Sequence, residues 1–470
     1  MAATHLALPE SSEMWASLIA AQADFPDERL NSRFGLILRT LADKPHDSFP
    51  QACKTPSQSQ ALYRFVENKR LDVDSFLQPL VDATLDACRG LPTLLAIQDS
   101  SSVNYASLIH TRGLGKLNDS DALGLHFHTT IAVQRDGLVR GLLHQNFWSR
   151  PPEAPPVAAE RKDKPIELKE SYKWLEGIEA AEAALDNLPA NERPRLIHIF
   201  DREGDVHEVL ERISASPHGA IIRVAQIKRG LADPHGSVYE AINAAPVYGG
   251  KTIEVPARHG AKARKAKLEL RSVKVTIQPN LQKHPHRQSV AWTLVEAKEV
   301  NVREGVEPLH WLLWTTEPAQ TLVQIDEVLR CYKHRWLIED FHLTLKSGCQ
   351  VEELRLETAD RLIKALLMYS AVALRIVALR DLARTRPNDP CTVFLSIDQW
   401  QALYTYIHEK RPARSEPIPT IKQAVLWIGR LGGHLGRKGD RLPGVRLLWR
   451  GWRDLAILVA GYQAGRRDNN

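Results

Sequence analysis

Residues 195–206, RLIHIFDREGDV, decide the fold class. A short run dominated by Leu, Ile and Phe passes directly into an acid, Asp201, and a glycine-containing turn, the pattern of a buried strand and its exit. Around it, 169–187 carries a helix pattern, 205–214 a second, and 220–225 (AIIRVA) another strand. Upstream, 93–97 (TLLAI) is an apolar run that ends in Gln98, Asp99 and three serines. Residues 124–133 and 138–148 follow as strands joined by the turn-like QRDG at 134–137. Three strands, helix, strand, helix, strand is the order of a mixed α/β fold. It leaves two acids, Asp99 and Asp201, at strand ends, where α/β sheets hold their sites. Either acid alone is equally an ordinary turn or N-cap residue.

Farther out the texture changes. Residues 226–318 hold short β-rich runs and little helix signal, which we read as an all-β insertion. Within it, 251–274 carries eight Lys or Arg against two Glu, including the loop RHGAKARKAK. After 318 the chain reads as helical to about 385, and after the break ARTRPNDPC the last 80 residues are helical with basic punctuation. Near the start, Leu30, Phe34, Ile37, Leu38 and Leu41 recur at helical spacing over 28–44, with Asp27 as a possible N-cap. ALYRFVENKR at 61–70 reads as a second short helix. A plain helical bundle and a DNA-binding module both fit this opening. The segment 150–165 is a proline-rich, charged surface linker.

The 470 residues are 43% hydrophobic and 25% charged, globular values that exclude a disordered chain, collagen or a coiled-coil rod. A net charge of +6 permits a polyanionic partner without demanding one. Five scattered cysteines include no C-x-x-C pair, so neither a disulfide framework nor a zinc ribbon is indicated and a reducing compartment is the simpler reading. The N-terminus lacks a signal-peptide pattern. The apolar run 362–379 contains Lys364 and Arg375, so it is expected to be a buried helix of a soluble protein rather than a membrane span.

A third acid stands in 331–348, CYKHRWLIEDFHLTLKSG. On a continuous α-helix with Tyr332 at zero, Arg335, Glu339 and Lys346 fall at about −60°, −20° and −40°, whereas Asp340 lies about 80° to the other side. Glu339 therefore shares a stripe with Arg335 and Lys346. A carboxylate for a metal beside cations for phosphate suits a nucleic-acid backbone. The plainer reading is a solvated i,i+4 pair between Arg335 and Glu339, worth a few tenths of a kcal/mol.

The spacing Tyr332-x2-Arg335-x3-Glu339-x6-Lys346 resembles the Y-R-E-K signature of bacterial cut-and-paste DDE transposases of the insertion-sequence-four family, Tn-five type. LLAIQDSSSVNY around Asp99, GLLHQNFWSRP at 141–151, FDREGDVHE around Asp201 and LHWLLWTTEP at 309–318 resemble family blocks in the same order. So do ALYRFVEN at 61–68 and the late IGRLGGHLGRKGDRLPGVRLLWRGW. The resemblance implies an α/β, RNase H-like catalytic core with a β-sheet insertion. It implies a helical DNA-end-binding domain over 1–72, a catalytic domain over 73–385 with the insertion at about 226–318, and a C-terminal helical dimerisation and DNA-contact domain over 386–470.

By the same resemblance Asp99, Asp201 and Glu339 form the catalytic triad, coordinating two Mg²⁺ or Mn²⁺ ions. Tyr332, Arg335 and Lys346 hold phosphates near the scissile bond, Arg223 contacts the transferred strand, and Trp311 stacks a flipped base. Trp336 is expected to serve packing. Where relatives place a Tyr after a Gly-Gly pair, this chain has Lys251 after Gly249 and Gly250. The implied partners are double-stranded DNA (the element's inverted repeats and a target) and a second copy of the chain, in the bacterial cytoplasm. Arg29, Arg33 and Arg64 are the candidates for end recognition, since Arg is the favoured bidentate reader of guanine. From 430 to 453, seven basic residues against one Asp suit phosphate tracking. Competing readings are a metallohydrolase built on His126, His128, His198 and His207, a catalytically silent transposase-derived repressor, and a simple nuclease.

Overall fold

The computed structural model describes residues 11–117, 122–151, 164–232, 234–255, 263–279, 286–437 and 440–467. Most of the proline-rich linker, the loop residues 256–262 of the insertion, and Lys438 of the late basic run lie outside the described residues.

Among the described residues ten strands join in one sheet. They are β1 (Thr93–Asn104), β2 (Gly115–Lys116), β3 (Leu123–Gln134), β4 (Val139–Trp148), β5 (Arg195–Phe200), β6 (Gly219–Arg223), β7 (Val247–Val255), β8 (Arg264–Ile277), β9 (Val290–Val300) and β10 (His310–Thr315). The order runs β2-β3-β1-β5-β6-β10-β9-β8-β7, with β4 also paired to β3. β1, β5 and β6 are parallel, whereas the β1–β3–β4 hairpins are antiparallel. This is the mixed sheet expected of an RNase H-like core.

Two sequence expectations need correction. The insertion is not all β: its strands β7 to β10 extend the central sheet, β10 pairing antiparallel with β6. It also contains a helix, Val238–Ala244, capped by Ser237 and burying Val238, Ala241 and Ile242. Seven residues are too few for helical periodicity to declare itself. Second, Asp99 does not end its strand. β1 continues to Asn104 because it pairs with β3 through Asn104, although its pairing with β5 stops at Ile97–Ile199.

Side-chain alternation along the strands explains where the site lies. Leu95 and Ile97 of β1, Ile197 and Ile199 of β5, Ile221 of β6 and Leu313 of β10 enter one core, shared with the helices Leu322–Lys333, Trp336–Leu343 and Ala359–Thr385. Two residues on from Ile97, Ile199 and Ile221 stand Asp99, Asp201 and Arg223, and two before Leu313 stands Trp311. All four share that face. The other face packs on the helices Tyr172–Ala184 and His207–Ser214 through Trp174, Phe200 and Ile222.

The helix Ala359–Thr385 is the apolar run read above, and 94% of its most apolar window is buried inside the protein. Its charges are accommodated there. Lys364 lies 2.7 Å from Asp360, and the Arg375 guanidinium stacks between Trp15 and Phe394. The two helical ends of the chain meet around this helix, with Trp452 Nε1 donating to the Ala42 carbonyl at 3.1 Å and Tyr369 Oη to the Asp47 carbonyl at 3.2 Å.

Candidate active site

β1 and β5 are in parallel register up to Ile97 and Ile199, so Asp99 and Asp201 emerge side by side where β5 ends. Each carboxylate is held by a nearby backbone N–H of its own segment: Ser100 donates to Asp99 at 2.8 Å and Glu203 to Asp201 at 2.8 Å. Their proximity has an electrostatic signature. Burial first, and then the Asp201 carboxylate, push the Asp99 carboxyl up to about 7, with Glu339 adding in the same direction. Asp201 is raised too, chiefly by burial.

Arg335 joins the third acid to this pair. Its guanidinium lies 3.5 Å from Asp99 and forms an ion pair with Glu339. The i,i+4 pair foreseen from spacing therefore exists, yet it is not a solvated surface bridge, because the Arg335 side chain is only 11% exposed. Tyr332 is buried beneath it, and its phenol is raised by that burial despite the flanking Arg335 and Arg223 guanidiniums. Arg223 donates to the His310 carbonyl at 2.8 Å, and its guanidinium lies near the Tyr332 phenol. Trp311 is half-buried and meets Tyr332 edge-on, with ring centroids 5.7 Å apart. Thus Asp99, Asp201, Glu339, Arg335, Tyr332, Arg223 and Trp311 converge.

Other expectations fare differently. The stretch 331–348 is not one helix: Leu322–Lys333 and Trp336–Leu343 are separate, and a π-helical turn covers Thr344–Gly348. The wider turn rotates Lys346 off the ideal stripe. Its charge is felt by the buried His342 imidazole, and among the described residues Lys346 forms no ion pair with the three acids. Trp336 does not serve packing: it is 44% exposed, with the Arg335 guanidinium 5.1 Å above its ring. Lys251 pairs with Asp326 on the helix Leu322–Lys333.

In the N-terminal helices Asp27 caps Glu28–Asp43 as expected, but the same carboxylate binds the Arg29 guanidinium at 2.7 Å and is pulled down to about 2 by it. Arg33 and Arg64 are exposed, and Arg64 lines a recess of about 640 Å³ with Lys54, Thr55, Gln60 and Tyr63.

The histidines of the metallohydrolase reading have structural partners. Both ring nitrogens of His128 are engaged, by Ser100 Oγ at 2.9 Å and Gln98 Oε1 at 3.0 Å. His126 stacks on Trp148, His198 lies 3.4 Å from Glu182, and His207 bonds the Gln288 carbonyl at 3.0 Å. Sequence reasoning missed two residues here. Asp205, four positions past Asp201 in the quoted DREGD, is a buried acid that ties its own turn to the segment after β6 and to β10. Lys173 comes from the opposite face of the sheet, and no local pattern announces it.

The donor set can be weighed against the divalent ions that the resemblance implies. Hard carboxylate oxygens suit Mg²⁺ or Mn²⁺, and the raised Asp99 marks a surplus of negative charge that a cation would relieve. Among the described residues, though, no three His, Cys, Asp or Glu side chains are gathered tightly enough to hold an ion. Glu339 stands across the Arg335 guanidinium from Asp99. The Asp99–Asp201 pair offers the oxygen chemistry that such an ion takes, while Glu339 is engaged by Arg335.

Residues 12–71 match the family described as Transposase DNA-binding, which covers the helices Ser12–Ala21, Glu28–Asp43, Phe49–Ala52 and Pro56–Val66. Residues 371–469 match the Transposase Tn5 dimerisation domain, which begins within the helix Ala359–Thr385 and takes in Ile397–His408, Ile421–Leu431 and Val445–Arg467. A transposase DNA-binding domain at one end and a Tn5-type dimerisation domain at the other, with a mixed α/β sheet between them, support a Tn5-type transposase whose partners are DNA and a second copy of the chain.

Proposed function

We propose that the chain excises its element by DNA strand cleavage at Asp99, Asp201 and Glu339 and joins the freed 3′-OH ends to target DNA. The observation that carries this reading is the adjacent pair Asp99–Asp201, linked through Arg335 to Glu339 on the face where Tyr332, Arg223 and Trp311 also lie. Asp99 and Asp201, with Glu339 once it leaves Arg335, would hold Mg²⁺ or Mn²⁺, two ions in the full site. When bound, such ions make water nucleophilic at neutral pH and neutralise charge building at phosphorus.

The chain's own residues orient the strand. Arg335, released from Glu339, and Arg223 offer planar donors to non-bridging phosphate oxygens, Tyr332 adds a hydroxyl, and Lys346 a point charge nearby. Trp311 offers an aromatic face to a base turned out of the stack, an arrangement worth roughly 1–3 kcal/mol. The successive reactions are nicking by water, attack of the 3′-OH on the opposite strand to form a hairpin, hairpin opening by water, and attack on target DNA. Each is an in-line displacement at phosphorus that needs no protein nucleophile. Lys251, where relatives place Tyr, would serve the hairpin as a phosphate contact. Arg33 and Arg64, with Arg29 if it leaves Asp27, read the element's ends. The three regions 1–72, 73–385 and 386–470 divide end binding, chemistry and pairing, in the cytoplasm where the DNA is.

The test is a plasmid carrying the gene's own flanking DNA, incubated with purified protein in Mg²⁺, beside Asp201→Ala and a Ca²⁺ control. Paired cuts at inverted repeats, lost in the variant while end binding persists, are expected. Binding without breaks in Mg²⁺ would overturn the cleavage reading in favour of a repressor, and scattered nicking would leave only a nuclease.

A further inference from the structure

A lysine reaches the turn that follows Asp201 from the opposite face of the sheet. Lys173 lies in the first turn of the helix Tyr172–Ala184, next to Trp174, whose ring packs on His128 and Phe200 with centroids 4.7 and 5.1 Å apart. The Lys173 side chain is only 14% exposed, and its ammonium stands 5.8 Å from the Trp148 ring and 5.9 Å from that of Trp174. Cation–π attraction to both rings therefore holds the ammonium in place, where a surface lysine would keep its rotamer freedom.

The charge is aimed at the acid loop. Nζ lies 3.3 Å from Glu203, two residues past Asp201, and the Glu203 backbone N–H donates to the Asp201 carboxylate at 2.8 Å. The pair is lopsided: Glu203 is 67% exposed and sits on the three-residue turn Arg202–Gly204. An ion pair with one partner in solvent is weak and readily exchanged. The fixed partner is the cation, and the exchangeable one is the anion. A compact ammonium fixed beside a strand-cutting site, with a carboxylate that is easily displaced, is suited to a phosphate.

We propose that Lys173 binds a backbone phosphate of the DNA strand entering the acid site, and that Glu203 is its resting counter-ion, displaced by that phosphate. This rests on the reading of Asp99 and Asp201 as the strand-cleavage site. It gives the strand a contact on the side of the sheet away from Arg335, so the scissile region is gripped from both faces.

The test measures affinity of the full-length chain for a duplex of the gene's flanking DNA, across a salt series in Ca²⁺, for the parent, Lys173→Gln, Lys173→Arg and Glu203→Gln. Loss of one phosphate contact in Lys173→Gln flattens the slope of log affinity against log salt by about 0.9, and Lys173→Arg restores it. Glu203→Gln tightens binding because it removes the competing anion. A purely structural Lys173 predicts the opposite, since losing its partner would then weaken the fold and the complex. An unchanged slope in Lys173→Gln, or unchanged or weaker binding by Glu203→Gln, overturns the proposal. These readouts need no cleavage, so a parent chain that binds but never cuts in Mg²⁺ sinks the cleavage reading alone, and the slope still decides Lys173.

Discussion

Removing the Asp205 carboxylate should loosen three parts of the site at once. Its side chain is fully buried, and four donors converge on it: the Ala225 and Gln226 backbone N–H groups at 2.8 and 3.3 Å, Arg229 at 2.6 Å and Trp314 Nε1 at 3.2 Å. Arg229 also donates to the Asp205 carbonyl at 2.8 Å. Asp201 lies four residues before Asp205, Arg223 two before Ala225, and Trp311 three before Trp314. Asp205→Ala leaves the Arg229 guanidinium, only 9% exposed, without its counter-charge. Orphaning one partner of a buried pair costs about 3–5 kcal/mol.

Because the chain has several domains, a global unfolding curve is the wrong observable, and hydrogen exchange of peptides containing Ala225 and Gln226 is the right one. At about 1.4 kcal/mol per tenfold, exchange there should accelerate roughly a hundredfold or more. Peptides from the N-terminal helices should stay unchanged. In Asp205→Asn with Arg229→Met, where neither charge remains, much of the protection should return. Exchange at 225–226 within about threefold of the parent in Asp205→Ala would refute the argument, since it would mean that the carboxylate bears little of the local stability.

Other outcomes follow from the same geometry. With Asp99 pushed up to about 7 from an ordinary 3.8, the folded, metal-free chain binds more protons than the unfolded chain between those values, so this group makes stability fall as pH rises through that window. Asp99→Asn should therefore be more stable than the parent at pH 8, by at most about 4 kcal/mol. The gap should close below the unfolded value, near pH 3.5. Hydrogen exchange of peptides containing residues 97–101, compared between parent and variant at each pH without divalent ions, checks this, and a gap independent of pH would contradict it. Gly137 has φ +93°, and a Cβ there would lie 2.4 Å from His334 Cε1 and 2.5 Å from Arg384 Nη2. Gly137→Ala should cost roughly 1–3 kcal/mol. By disturbing the junction just before Arg335, it should slow strand cleavage more than it weakens end binding in a gel shift; equal effects on both would count against that coupling.

Much was legible in the sequence because it is local. RLIHIF at 195–200 is β5, TLLAI opens β1, and Asp27 caps the helix Glu28–Asp43, each a consequence of a few neighbouring residues. Resemblance supplied the assignment of the two ends, which the DNA-binding and dimerisation matches bear out. The helical stripe carrying Glu339 was legible only in part: the Arg335–Glu339 pair forms, but the π-helical turn at Thr344–Gly348 carries Lys346 away from it. A wheel assumes 3.6 residues per turn throughout, and a wider turn cannot be read from side-chain pattern.

The sequence by itself located the strands that lead into Asp99 and Asp201, whereas Arg223 and Trp311 were reached only through the family resemblance. Only the tertiary structure decided that those strands are neighbours in one sheet, that Arg335 spans from Asp99 to Glu339 across more than two hundred residues of chain, and that Asp205 and Lys173 belong to the site at all. The physical reason is range. Periodicity and capping act over a turn or two of backbone, whereas the shift of Asp99 toward neutrality and the grip of two tryptophans on Lys173 arise between groups that only folding brings together.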